Sequence, residues 1–180
     1  MSQYRKAALC AAILMLPLCG AAPAQETASL PGGATDLNES HGDWTVTCAV
    51  VTQNGASGKI CVLAQQQTVP QSGERVLAME LRPQDTAVDG ELVLPFGLAL
   101  DKGVTLQIDD GQPLQPLRFR TCLPVGCIVD LHFDAKSLPL LRKGKILKIK
   151  AGVDSGGDTQ LTVSLKGFPN ALDRTIALAT

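Results

Sequence analysis

The chain has 180 residues, a formal net charge of −1 and 3% aromatic residues. That balance excludes the basic footprint of a nucleic-acid binder, and the length suits one domain whose core needs no structural metal.

Residues 1–24, MSQYRKAALCAAILMLPLCGAAPA, join a basic start to an apolar run that closes on Ala22-Pro23-Ala24, the pattern of a cleaved export signal. The run from Ala7 to Leu18 is shorter than the ~20 residues that span a bilayer and contains Pro17. No later segment is long enough to span, so no transmembrane segment is expected after cleavage. Leu18 before Cys19 and Leu9 before Cys10 argue against lipidation. Removing 24 of the 180 residues leaves 156 with a charge of −3, since Arg5 and Lys6 depart with the signal. It also leaves four of the six cysteines, Cys48, Cys61, Cys122 and Cys127, in an oxidising space where disulfides persist.

Residues 25–43 lack apolar periodicity and contain Pro31, Gly32, Gly33 and Asn38, which predicts a mobile leader before a single domain over 44–180. From Trp44 the period is two, with Trp44, Val46, Cys48 and Val50 on one face of a half-buried strand. Turn residues at Asn54-Gly55 and Ser57-Gly58 lead into a second strand over Lys59 to Gln67, a predicted hairpin. Further strands are predicted over Arg75 to Arg82, Glu91 to Leu94, Gly103 to Ile108, Leu117 to Thr121, Cys127 to Phe133, Lys145 to Val153 and Gln160 to Leu165. Their close spacing favours an antiparallel sandwich or barrel over βαβ units. Two short helices are predicted. One runs from a cap at Asp134 toward Lys143 and stops at Gly144; the other covers Pro169 to Leu178, with Leu172, Ile176 and Ala179 at helical spacing.

Cys122 and Cys127 flank a Pro-Gly turn between two predicted strands, and Cys48 and Cys61 fall near facing positions of the first hairpin. Local disulfides are therefore favoured, although four cysteines permit three pairings. The spacing is neither the C-x-x-C of thiol oxidoreductases nor a paired zinc-knuckle pattern.

Several stretches line up with a known family: Trp44-Thr45-Val46-Thr47-Cys48, Cys61-Val62-Leu63, Leu94-Pro95-Phe96-Gly97-Leu98 and Gly103-Val104-Thr105-Leu106-Gln107-Ile108-Asp109. Phe119 to Cys122, Gly126-Cys127 and Leu165-Lys166-Gly167-Phe168 extend the match. In these motifs the chain resembles the invasion-associated locus B family of exported bacterial proteins. The resemblance implies an immunoglobulin-like β-sandwich in the periplasm or outer cell envelope of a bacterium. It also implies a link, through the founding member, to entry of a pathogen into red blood cells. It brings no catalytic residues and no cofactor.

Candidate chemistry is sparse. Gly55-Ala56-Ser57-Gly58-Lys59 fails as a nucleophile elbow, because Lys59 stands where a glycine is needed, and fails as a phosphate loop. His132 and Asp130 lie two apart and share a strand face, yet such a pair is usually solvated or structural. Asp109-Asp110-Gly111 and the run Asp154 to Asp158 read as hairpin turns rather than calcium loops.

Arg142, Lys143, Lys145, Lys148 and Lys150 form the best candidate partner surface, with Lys148 and Lys150 alternating with Leu147 and Ile149. Such a patch suits an anionic lipid, a polysaccharide or a protein of the envelope or of a host. A solvated strand whose lysines block edge pairing is the plainer reading. The function expected is binding without catalysis. A chaperone-like module that pairs with clients through a sheet edge and an exported hydrolase using His132 are the alternatives.

Overall fold

The structure, a computed structural model, describes residues 28–180; the expected export signal, with Cys10 and Cys19, lies outside them. Ten strands build two antiparallel sheets within that range. The larger contains β1 (Asp36–His41), β2 (Trp44–Gln53), β3 (Ala56–Thr68), β4 (Arg75–Pro83), β5 (Val88–Leu94), β7 (Phe119–Leu123) and β8 (Gly126–Phe133), in the order β1-β2-β3-β4-β5-β8-β7. The smaller has the order β10-β9-β6, from β6 (Val104–Ile108), β9 (Ile146–Gly152) and β10 (Asp158–Ser164).

The antiparallel, disulfide-stapled sandwich with two short helices thus holds. The first hairpin turns where both Asn54 and Gly55 adopt positive φ, as a two-residue turn matched to strand twist requires. Cys48 faces Cys61 across it, and Cys122 faces Cys127 across the β7–β8 turn; both pairs are disulfides, which selects the local pairing.

Asp36–His41 corrects the expected leader. This segment pairs residue for residue with β2, from Asp36 opposite Ala49 to His41 opposite Trp44. Its residues are mostly polar because an edge strand is held by ladder hydrogen bonds and needs little core contact of its own.

Alternation along the large sheet sends one side chain in two inward: Trp44, Val46, Leu63, Leu77, Met79, Leu81, Leu92, Leu131 and Phe133 are all buried. The small sheet supplies Leu106, Leu147, Ile149 and Val163 to the same core. Helix α2 (Phe168–Ala179) packs on β1 to β4 and completes it. Its inward face is Phe168, Ala171, Leu172, Thr175 and Leu178, so Ile176 and Ala179 point to solvent, contrary to expectation. Phe168 sets that phase. Its ring meets Trp44 edge-on at 5.2 Å between centroids, and the faces three and four residues further on must follow it inward.

The turn into α2 is a close backbone crossing. Gly167 has φ +88, and a Cβ there would lie 2.0 Å from the His41 carbonyl oxygen, so only glycine lets the β10–α2 junction pass the β1–β2 turn. Helix α1 (Leu138–Lys143) starts four residues after Asp134. Pro139 occupies its first turn, while the Asp134 carboxylate accepts hydrogen bonds from the Lys136 and Ser137 amides in the preceding turn.

Candidate binding corner and cleft

Helix α1 and strand β9 bring the basic segment to one corner of the molecule, but its five cations are not equivalent. Arg142 pairs with Asp173 at 2.7 Å, Lys148 with Asp110 at 2.7 Å and Lys150 with Asp158 at 2.8 Å. Those lysines hold the Asp110 and Asp158 carboxyls below the usual carboxylate range. Lys143 and Lys145 are exposed and enter no ion pair among the described residues. Leu147 and Ile149 are buried as the alternation predicts. Edge protection, however, is not the role of these lysines, because β9 is the central strand of its sheet.

Beside this corner the sandwich opens. One cavity of 380 Å³ reaches between the two sheets onto the buried side chains of Leu106, Leu131 and Phe133, with Leu114 and Leu140 among its walls. A second cavity, of 530 Å³, lies by the end of α1, against Ile108, Leu114 and Leu140, with Lys143 on its rim. The two share Pro113, Leu114 and Leu140, and form a two-lobed cleft. Leu140, 53% exposed, lines both lobes. Gly144 keeps the second lobe shaped: a Cβ there would come within 2.6 Å of Ile108 Cγ2.

Two carboxylates at the cleft are committed to the fold. Asp109 accepts hydrogen bonds from the backbone amides of Lys145 and Ile146 at 3.1 and 3.0 Å. Asp134 accepts from the Ser137 amide at 2.9 Å and the Ser137 hydroxyl at 2.8 Å, bonds that lower its pKa. The Lys143 and Lys145 ammonium groups enter no ion pair among the described residues and are free to meet a ligand.

His132 lies on the outer face of the large sheet and its ring Nδ1 is 2.6 Å from Asp89 Oδ1, directly across the β5–β8 ladder. The expected Asp130 partner is instead held by Arg120 at 3.1 Å, which also bridges Glu91 at 2.9 Å. Sequence proximity favoured Asp130, but the cross-strand neighbour is nearer than the residue two along. Ser137, which lines the first lobe with His132, donates its hydroxyl to Asp134. No serine or cysteine side chain is hydrogen-bonded to the imidazole among the described residues.

The other histidine, His41, contacts Glu39 on β1, and Glu39 also receives two hydrogen bonds of 2.7 Å from Arg174 of α2. The Arg174 guanidinium is the main reason the Glu39 carboxyl falls from 4.5 to about 2. A lowered carboxyl pKa stabilises the fold above the unfolded value, and that contribution fades as pH falls from about 4.5 toward 2. Partial exposure of both groups screens it. Acid titration followed by circular dichroism should therefore show Glu39→Gln losing less stability than the parent chain between those pH values. Parallel curves for the two proteins would reject the pair as an anchor of α2.

No helix of the described residues is long and apolar enough to cross a membrane. Comparison with known proteins is consistent across sequence and structure. The sequence model described as "Invasion associated locus B (IalB) protein" matches residues 44–175. The chain is 44% identical over 153 residues to an invasion protein B homologue of Brucella abortus, covering 84% of this chain and 86% of that one. It is 37% identical over 164 residues to invasion protein B of Bartonella bacilliformis, covering 88% and 84%. The crystal structure of invasion associated protein B from Bartonella henselae superposes with a TM-score of 0.71 at 37% identity, over 79% of this chain and 96% of that one. With the family match running from β2 into α2, the chain belongs to the invasion associated locus B family.

Proposed function

We propose that this is an exported envelope protein that acts by binding a component of the bacterial envelope or of a host cell, without turnover. The observation that carries the reading is the corner of α1 and β9, where Lys143, on the rim of an apolar cleft, and Lys145, two residues on, enter no ion pair among the described residues while the neighbouring cations are tied down. The naming of its relatives as invasion proteins supports a reading in which contact with other molecules is the task. The N-terminal signal pattern and two cross-strand disulfides support a mature chain beyond the inner membrane, beginning near Gln25.

The test uses the mature, oxidised chain and its Lys143→Glu/Lys145→Glu variant, each immobilised and exposed to detergent-solubilised bacterial envelopes and host-cell membranes. Material retained by the parent and lost from the variant is the expected result. Equal retention by both, or chemical conversion of what is retained, overturns the reading. Reversing Lys148 or Lys150 instead would break native ion pairs and confuse binding with folding.

A further inference from the structure

We infer that the two-lobed cleft is a binding site for a single-chain anionic amphiphile, a fatty acid or a lysolipid with an anionic head. This deepens the binding reading and rests on it. The head lies at the Lys143 and Lys145 corner, and the aliphatic chain passes Ile108 and Leu114, crosses Leu140 and ends between the sheets over Leu106, Leu131 and Phe133.

Three features of the cleft select that chemistry. Its depth is apolar: the floor residues belong to the core yet line an open cavity, so a chain entering there gains contacts that water does not provide. Each lobe falls within the roughly 300–1,000 Å³ of small-molecule sites, and the two adjoin across Pro113, Leu114 and Leu140, which fits an elongated ligand lying over that shared wall. Finally, charge at the corner is one-sided in availability. Asp109 accepts backbone amide bonds at both carboxylate oxygens and Asp134 accepts its bonds at Oδ1, whereas the ammonium groups of Lys143 and Lys145 have no carboxylate partner among the described residues. An anionic head meets free ammonium donors there.

Lys136 lines the first lobe and not the second, and is likewise without an ion pair among the described residues, which gives the orientation its own control. With the head at Lys143 and Lys145, reversing Lys136 should matter little.

Titration calorimetry of the mature, oxidised chain with octanoate, decanoate and dodecanoate, each below its critical micelle concentration, tests the inference. Saturable one-to-one binding is expected, tightening roughly fourfold for each added methylene as the chain is buried. Lys143→Glu/Lys145→Glu should weaken dodecanoate about tenfold, and dodecyltrimethylammonium should bind the parent at least about tenfold less well than dodecanoate. Leu140→Asp, at a position that is 53% exposed and with its fold checked by circular dichroism, should remove the chain-length dependence. No saturable binding, affinity independent of chain length, or equal affinity for the cationic amphiphile overturns the proposal. A loss caused by Lys136→Glu and not by the double variant overturns the assigned orientation. If dodecanoate fails to bind while membrane material is still retained through Lys143 and Lys145, the amphiphile site falls and the binding reading stands. Failure of both removes both.

Discussion

Replacing Trp44 with alanine is expected to cost about 3–5 kcal/mol of folding stability, the range for deleting a large aromatic side chain from a packed core. Trp44 is 1% exposed at the start of β2, where the large sheet, the end of β10 and helix α2 converge. Its ring packs edge-on against Phe168, and its indole N–H donates to the Ser164 carbonyl oxygen at 2.9 Å. That carbonyl also accepts from Gln65 Nε2, so alanine leaves it satisfied and the penalty comes mainly from the cavity. Trp44→Phe keeps most of the volume and should cost far less. Since Trp44 is the sole tryptophan, denaturant unfolding has to be followed by far-ultraviolet circular dichroism rather than fluorescence. An alanine variant no less stable than the phenylalanine variant would show that this junction does not hold the two layers together.

The strands that contribute to the core are legible in the sequence, because alternation is a physical consequence of facing a core on one side. The run from Trp44 to Val50 announces which side chains go in, and the structure buries Trp44, Val46 and Cys48 as that pattern requires. Asp36–His41 offers no such signal. Its only large aliphatic side chain is Leu37, and what makes it a strand is the neighbouring backbone of β2, a long-range fact absent from its own composition. Helix α2 is legible as a helix but not in phase, since Leu172, Ile176 and Ala179 fit helical spacing as well as the true face does. Only contact with Trp44 decides between them.

Charge in the candidate site was less accessible than its position. The basic segment does reach the surface on α1 and β9, with Leu147 and Ile149 inward. Yet Asp110, Asp158 and Asp173 enter from the turn after β6, from the start of β10 and from α2, and their arrival is what distinguishes the paired Arg142, Lys148 and Lys150 from Lys143 and Lys145. The cleft was illegible for a related reason. Its walls come from β6, the segment after it, β8 and α1, each of which reads alone as ordinary core or loop. An opening between layers is a property of how elements pack, and no single stretch encodes it.

The second large effect belongs to the Cys48–Cys61 bridge. Replacing both cysteines with alanine should cost about 3 kcal/mol in the chain-entropy view, against about 2 kcal/mol for Cys122 and Cys127, because the bridged residues are separated by 13 positions in the first loop and 5 in the second. Location sharpens the contrast. Cys48 and Cys61 are both buried in the core near the middle of the β2–β3 ladder, whereas the other bridge closes a turn next to the edge strand β7, with Cys122 partly exposed. Alanine is the proper replacement at the buried pair, since serine would add hydroxyls with no partner there. For a domain of this size the loss corresponds to a fall in melting temperature of roughly 6–12 °C. Thermal melts of the two double variants, each compared with the oxidised parent, test both size and order. A larger loss at Cys122 and Cys127 would mean that the β7–β8 turn, and not the first hairpin, is where covalent closure holds the sandwich together. An unchanged melt after removing Cys48 and Cys61 would mean that ladder hydrogen bonds and core packing already fix that hairpin, leaving its disulfide with no thermodynamic role.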